Sequence, residues 1–479
     1  MKNAPLFEAL VHHTKNNNWS FHVPGHKNGK IFEKSGAAFF NSVLPLDLTE
    51  LNGLDDLHHP EGVIKEAQEQ LASFYGVRKS YFLIGGSTAG NLAMILASFK
   101  QDDVVFVQRN CHKSVLNGLE LAGVTPVFLS PEVDEEGGFA LGVPVETIKE
   151  ALREFPASKG IILTNPTYYG MQQDISDIAS IIHDKGGIVL VDEAHGAHFG
   201  LKGMPNLAIQ QGADVVVQSA HKTLPALTMG AFLHVNSNRI DAYRLSHALQ
   251  MVQSSSPSYL VMASLDLSRL YMESLSDEDV TNIINQSQTF KGFIHSLPHL
   301  HVVKNLKGYV SDPLKITIQS DREISGYELQ SLLEKEGIYS ELADDRNVLL
   351  VLPLGMMDSI TDLKKVFHKL SDQLSIYRNK ELFENNVPVF PAVTMLELTY
   401  TQMKKMHPQK MLIEAAAGYI AAEAVIPYPP GIPLIAKGEK ITSESIRLYF
   451  SLKDKGAKFQ GTTENGEMYV FDISKEQEH

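Results

Sequence analysis

Ile188-Val-Leu-Val-Asp192-Glu-Ala-His195 and, further along, Asp214-Val-Val-Val-Gln-Ser219-Ala-His221-Lys222-Thr223 decide how this chain folds. Each is a short, β-branched apolar run that ends abruptly in ionisable residues. A strand that is apolar at every position is covered on both faces, as in parallel sheets whose strands are joined by helices. The pattern repeats outward in both directions: Tyr81–Ile84, Val104–Val107, Ile161–Thr164 and Ala231–Val235 read as further strands. Between them, Ile64, Ala67, Leu71 and Phe74 fall at helical spacing, and so do Ile175, Ile178, Ile181 and Ile182. The expected fold is therefore α/β with a mostly parallel sheet. In such sheets ligands bind beyond the carboxyl ends of the strands, so the chemistry belongs at the strand-to-loop junctions.

Two regions beyond this core read differently. Residues 286–375 alternate again (His301–Val303, Leu314–Thr317, Tyr327–Lys335, Val348–Leu352, Ile360–Leu370), which suffices for a small α+β domain. After 376 the pattern weakens through a polar linker, Asn379-Lys-Glu-Leu-Phe-Glu-Asn-Asn386. It then reaches Val425-Ile-Pro-Tyr-Pro-Pro-Gly-Ile-Pro433, whose four prolines forbid a helix or central strand and suggest a stiff turn packed against something. The division expected is an N-terminal arm over 1–56, a large domain over 57–285, a small α+β domain over 286–375 and a C-terminal domain over 376–479.

Composition excludes several classes. The 479 residues are 43% apolar and 20% charged, an ordinary globular balance. With 42 basic and 56 acidic residues the net charge is −14, which argues against nucleic acid or an anionic membrane surface as the main partner. The lone Cys111 rules out an intramolecular disulfide and a thiolate metal cluster, and fits a reducing cytoplasm. The first residues, Met1 to Glu8, lack the apolar core of a signal peptide, and the uncharged stretch Ser246 to Leu265 carries a Ser-Ser-Ser-Pro run too polar to span a bilayer.

Four junctions are chemically loaded. Ile84-Gly-Gly-Ser-Thr-Ala-Gly-Asn91 follows a strand and opens a helix over Leu92–Phe99. Its glycines, hydroxyls and free N–H groups make an anion cradle, unless Ser87 or Thr88 merely caps the helix. Asp192, just past its strand, could pair a cation, serve a nucleotide-driven helicase, or join His195 and His198 around a metal. The helicase needs a phosphate loop, and the one Gly-Lys pair, Gly29-Lys30, is followed by Ile31. Two histidines without a third ligand are a weak metal site. The Ser219–Thr223 junction settles the choice: a lysine two strand ends from an aspartate suits a Schiff-base Lys222 with Asp192 on a pyridinium nitrogen, which is pyridoxal phosphate chemistry. Arg109-Asn-Cys-His112-Lys-Ser is the fourth junction. His112 could stack on a flat ring or be structural, and Cys111 reads as a small buried side chain.

Taken together with Phe21-His-Val-Pro-Gly-His-Lys-Asn-Gly29, Asp47-Leu-Thr-Glu-Leu-Asn-Gly-Leu-Asp-Asp56, Asn165-Pro-Thr-Tyr-Tyr-Gly170, Ser254–Asp266 and Ile426–Pro433, these motifs resemble the Orn/Lys/Arg decarboxylase family. The likeness is to its short bacterial members, which begin directly at the cofactor domain of the fold-type-I (aspartate aminotransferase) architecture. The motifs run almost continuously through the large domain in the family's order, while the middle domain matches by pattern alone. Met395–Met411 and Ala417-Gly-Tyr-Ile420 depart from the usual text.

The resemblance implies pyridoxal 5'-phosphate as cofactor, held by Lys222 as a Schiff base, with Asp192 on the pyridinium nitrogen. It places His112 on one face of the ring and Ala194 on the other, and His195 near the 3-oxygen. Gly86, Ser87 and Thr88 with Ser219 and His221 would hold the phosphate. It further implies decarboxylation of lysine, arginine or ornithine, with Lys222 or His221 as proton donor at Cα. No metal is expected. Ser254–Ser256 matches a segment reaching a neighbouring subunit's phosphate, so a homodimer or larger homo-oligomer is expected. Glu50, Asp55 and Asp56 are candidates for the substrate's distal cation, against a helix-capping role. The rival readings are another fold-type-I reaction, transamination or aldol cleavage, and a catalytically silent scaffold. Arginines Arg322, Arg346, Arg378 and Arg447 leave transamination open.

Overall fold

The computed structural model describes residues 2–15, 19–304, 306–379, 390–427, 431–461 and 466–473. The chain divides into two compact units, one of Met1–Ser98 with Ile188–Val280 and one of Phe99–Gly187 with Thr281–His479.

In the first unit four strands lie in the order Lys79–Leu83, Ala231–Val235, Val215–Gln218, Ile188–Asp192. The last two pair in parallel, and Ala231–Val235 is antiparallel to both its neighbours. The register assigns the faces. Asp192 is level with Val217, which is level with Leu233, so these share one face; Gln218 is level with Phe232 on the other. The helix Gly86–Ser98 covers the first face, because a Cβ on Gly90 would lie 2.6 Å from Val217 and 2.7 Å from Leu83. The helix Val63–Tyr75 covers the second, where the Tyr75 ring meets Phe232 and His234. Coverage on both sides is why these strands are apolar throughout. The helix Pro5–Lys15 buries Leu6 and Leu10 in this unit, and Asp266 accepts from its Leu6 and Phe7 amides.

In the second unit Gly160–Thr164, Val104–Gln108 and Thr125–Leu129 are parallel neighbours, and Val393–Met395 closes the edge antiparallel. Leu300–Val302, Lys315–Ser320, Val348–Val351 and Leu342–Ala343 form a separate antiparallel sheet, with the helices Gly326–Lys335 and Ile360–Leu374. A third sheet joins Gln409–Leu412, Glu467–Phe471 and Ile420–Ala421. Its core is Ile413, Ile435, Tyr449 and Val470. Among the described residues no helix is long and apolar enough to cross a membrane.

The expected strands are present. Two elements differ from the reading. The helix expected from Leu92 begins at Gly86, because burial of Ala89, Gly90 and Asn91 against the sheet outweighs the poor helix propensity of Gly, Ser and Thr. The strand Thr125–Leu129 was hidden by Pro126, which is tolerated because Val393–Met395 pairs only with Val127 to Leu129 and leaves Pro126 beyond the ladder. The proline-rich segment does pack: Ile426–Pro427 pairs with Phe459–Gln460, and Arg109 donates to the Pro433 carbonyl at 3.2 Å. Most of the polar linker, and residues 428–430 of that segment, lie outside the described residues.

Candidate active site

The first unit assembles most of the expected residues at its strand ends. Asp192 closes its strand and is 3% exposed. The Asn91 amide donates to Asp192 Oδ2 at 2.8 Å, and the Ala194 N–H donates to Oδ1 at 3.2 Å. The carboxylate is thus held in one orientation, by a helix on one side and by its own loop on the other. Asn91 is a residue the sequence reading passed over. The signal was available: Asn91 follows Ser87 by four residues, so both lie on the helix face turned to the sheet.

The cradle forms where the strand Lys79–Leu83 turns into that helix. Gly86 has φ +71°, its N–H donates to the Met229 carbonyl at 2.8 Å, and a Cβ added to it would meet open space. The Ser219 hydroxyl donates to Ser87 Oγ at 2.8 Å, bringing the next strand end onto the helix N-terminus. Thr88 is exposed at the same turn. The short helix Ala220–Thr223 carries His221 and Lys222, both half-buried. His221 Nδ1 lies 3.1 Å from the Gly230 carbonyl, and Lys222 Nζ lies 3.1 Å from His195 Nε2. A primary amine beside an imidazole, a buried oriented carboxylate, and hydroxyls at a helix N-terminus therefore stand on one strand edge.

Glu193 faces the other way, as a strand's alternation requires. It is fully buried, accepting from Gln218 Nε2 at 2.7 Å and from the Ala208 N–H at 2.9 Å. Burial pushes its carboxyl up to about 8, against the opposing pull of those two bonds. Gln218 Oε1 lies 3.0 Å from His234 Nε2, and His234 Nδ1 lies 2.8 Å from Ser80 Oγ. Burial pushes the His234 imidazole down to about 3, so it is neutral at ordinary pH.

The other expected residues have the following local partners. His112 belongs to the second unit, where it caps the helix Lys113–Ala122 by accepting from the Ser114 N–H. Cys111 is fully buried, as read. Ser254–Ser256 is exposed, and the Ser254 carbonyl meets His58 Nε2 at 2.8 Å. Asp55 is committed to capping: it accepts from the backbone N–H groups of Glu61, Gly62, Ile64 and Lys65 at the start of the helix Val63–Tyr75. Asp56 accepts from the His58 N–H, and Glu50 is exposed. His198 is buried edge-on against Phe199.

The family description "Orn/Lys/Arg decarboxylase, major domain" matches residues 4–308, and "Orn/Lys/Arg decarboxylase, C-terminal domain" matches 379–465. The chain belongs to the Orn/Lys/Arg decarboxylase family. Among curated relatives, "Uncharacterized protein YaaO" of Bacillus subtilis is 46% identical over 463 residues, 96% of each chain. An arginine decarboxylase of Bacillus cereus is 33% identical over 456 residues, 93% of this chain and 99% of its own. Among solved structures, the constitutive lysine decarboxylase of Escherichia coli superposes with a TM-score of 0.79 at 20% identity, over 98% of this chain and 82% of its own. That likeness fixes the fold as fold-type-I.

The Orn/Lys/Arg decarboxylase family depends on pyridoxal phosphate. The donor set at the first unit's strand edge fits that group. Its dianion needs hydroxyls and helix N–H groups, which Ser87, Ser219 and the Gly86–Ser98 terminus offer. Its ring nitrogen needs a buried anion, and its carbonyl carbon needs a primary amine. The open space before Gly86 leaves room for the phosphate.

Proposed function

We propose that this member of the family is a pyridoxal-phosphate-dependent decarboxylase of a basic amino acid, with arginine foremost. The observation that carries the reading is the pairing of Lys222 Nζ with His195 Nε2 on the same strand edge as the oriented Asp192 and the Ser87–Ser219 hydroxyl pair. Arginine is placed first because the relatives of matching length, 31–33% identical, are named arginine decarboxylases.

Bound pyridoxal phosphate supplies an electron sink, a protonated ring nitrogen that draws off the electron pair left on Cα as CO₂ departs. The chain's residues prepare and protect it. Asp192, oriented by Asn91 and the Ala194 N–H, would keep the ring nitrogen protonated by pairing with its charge. Ser87, Thr88, Ser219, His221 and the Gly86 turn would fix the phosphate, and with it the plane of the ring; the Ala194 methyl would bear on one face. Holding that plane is what lets the Cα–carboxylate bond stand perpendicular to it. Lys222 Nζ would hold the cofactor's carbonyl carbon until the substrate amine replaces it. His195, at 3.1 Å, can take or return the proton that Nζ needs at each exchange. For His112 the role at the ring rests on the resemblance alone.

The same reading extends to assembly and setting. Trp19, Phe21 and Phe39 are 84%, 92% and 81% exposed on the N-terminal arm, and apolar rings left in water at this density suit burial against a second copy of the chain. A homodimer is the assembly these rings support; the lone buried Cys111 suits a reducing cytoplasm, and an amine product suits polyamine synthesis or acid tolerance alike.

The test is reconstitution with pyridoxal phosphate. Wild type should gain a visible absorbance band that Lys222→Ala lacks, and should release CO₂ from arginine, lysine or ornithine without forming a keto acid. Keto-acid formation would move the protein to transamination. A wild type that gains no band would remove the cofactor reading.

A further inference from the structure

On the proposed reading, Asp192 and Lys222 must keep a fixed separation, yet one closes a strand and the other lies on the short helix that follows a different strand. Ile188–Asp192 and Val215–Gln218 pair over only three ladder positions, Leu190, Val191 and Asp192, and beyond them the two segments share the Ser219 N–H to Ala194 carbonyl bond at 3.2 Å. The residues just beyond the ladder are Glu193 and Gln218. Their side chains meet on the face away from Asp192, and the Glu193 N–H donates to the Val217 carbonyl at 2.9 Å.

We propose that Glu193 is a positioning residue: through the buried chain Glu193–Gln218–His234–Ser80 it locks together the strand ends that hold Asp192 and Lys222. This rests on the pyridoxal phosphate reading and goes beyond it. The chain spans four of the unit's sequence segments. Glu193 Oε1 accepts from the Ala208 N–H, Glu193 Oε2 accepts from Gln218, Gln218 Oε1 faces His234 Nε2, and His234 Nδ1 faces Ser80 Oγ. All four members are 0–1% exposed, so no water can substitute for a lost partner at little cost. Gln218 immediately precedes Ser219, so a shift of Gln218 is passed directly to the cradle and to Lys222.

The polarity of the chain gives a sharp test. As built, Ser80 donates to His234, His234 to Gln218, and Gln218 to Glu193. Hydroxyl, imidazole and amide can each donate or accept, so the whole chain can reverse. In Glu193→Gln the new amide would donate to a flipped Gln218, whose amide would donate to the other tautomer of His234. Glu193→Ala leaves Gln218 Nε2 only its longer 3.4 Å bond to the Gly196 carbonyl and leaves the Ala208 N–H without its Glu193 acceptor, and Glu193→Asp is too short to reach both.

The experiment loads wild type and the three variants with pyridoxal phosphate. It compares kcat per bound cofactor, KM, and the visible circular dichroism of the bound cofactor, at a temperature far below unfolding. Glu193→Ala and Glu193→Asp are expected to lose about 10–100-fold in kcat with KM within about threefold, and to show weakened visible dichroism, since sub-ångström misplacement at a reacting centre costs that much. Glu193→Gln is expected to stay within about threefold of wild type by reversing the chain. A merely structural role would lower the unfolding midpoint and leave kcat per bound cofactor and the dichroism untouched, and that result overturns the proposal. If Glu193→Ala does not fold, wild-type kcat and dichroism in Glu193→Asp overturn it equally. Absence of any cofactor band in wild type would bring down the cofactor reading and this inference together, which separates the two failures.

Discussion

Replacing Gly90 by alanine sets two effects of opposite sign against each other on the helix Gly86–Ser98, the proposed phosphate cradle. In a helix interior the exchange alone favours folding by about 1 kcal/mol, since alanine loses less backbone freedom. Against this, the added Cβ would lie 2.6 Å from Val217 Cγ1, 2.7 Å from Leu83 Cδ1 and 3.0 Å from Val217 Cγ2, where ordinary contact begins at 3.4 Å. Val217 and Leu83 are both fully buried. Val217 is β-branched and has little rotamer freedom with which to retreat. Overpacking of this kind costs about 1–3 kcal/mol, so the net expectation is a loss of about 1 kcal/mol. The helix should also lift from the sheet by up to about 0.8 Å, the shortfall from 3.4 Å at the tightest contact, carrying Ser87 away from Ser219. Gly292, inside the helix Asp277–Ser296, is the internal control, because a Cβ there meets nothing within 4 Å. Gly292→Ala should gain about 0.5–1 kcal/mol. Urea midpoints and pyridoxal phosphate titration of both variants read the two effects. Gly90→Ala as stabilising as Gly292→Ala, with cofactor bound as tightly as in wild type, would refute the predicted clash.

Asn91→Ala removes a 2.8 Å donor from the buried Asp192 carboxylate, a bond to a charged group worth about 1.5–3 kcal/mol. Turnover should fall about 10–100-fold with cofactor still bound, and activity within twofold of wild type would show that Asp192 is oriented by other means. Asp55→Asn should cost about 1 kcal/mol at neutral pH, read as a urea midpoint, because both carboxylate oxygens accept backbone N–H groups, the amide keeps only one acceptor, and the site is partly solvated. Burial raises the Asp55 carboxyl, but the N–H groups of Glu61, Asp56, Gly62 and Lys65 outweigh it, so its folded value lies below the ordinary 3.8. Its stabilisation is therefore present above pH 3.8 and fades as pH falls through the lower folded value; a gap between wild type and Asp55→Asn that persists undiminished in stronger acid would contradict the assignment. Trp19→Asp should weaken self-association measured by sedimentation, and an unchanged association constant would remove the arm from the subunit interface.

What the sequence disclosed follows from how many physical readings each segment allows. An apolar run such as Val215–Val217 ending in Gln-Ser-Ala-His-Lys has few, so the strand ends carrying Asp192 and Lys222 could be placed from the text. Segments decided by tertiary contact could not. Gly86–Asn91 has the composition of a loop, and only burial against Val217 makes it helix. Thr125–Leu129 carries a proline that would disqualify a central strand, and only the short reach of Val393–Met395 admits it. Glu50, Asp55 and Asp56 were equal candidates as text, yet one of them has its acceptor lone pairs consumed by backbone amides.

The adjacent pair Asp192-Glu193 shows where the limit lies. Two consecutive carboxylates at a strand end invite the same interpretation, but side chains alternate along a strand, so one faces the helix and the other the opposite layer. Which carboxylate would meet the cofactor depends on the register with Val215–Gln218, and a shift of one residue would exchange them. Asp192 is level with Val217 beneath the helix Gly86–Ser98, where Asn91 can reach it. Glu193 follows onto the face of Gln218 and His234, where burial holds its carboxyl high and a hydrogen-bonded chain can use it as an anchor. The same register that would present one carboxylate to the cofactor thus turns its neighbour to the opposite layer, where it ties the strand ends together.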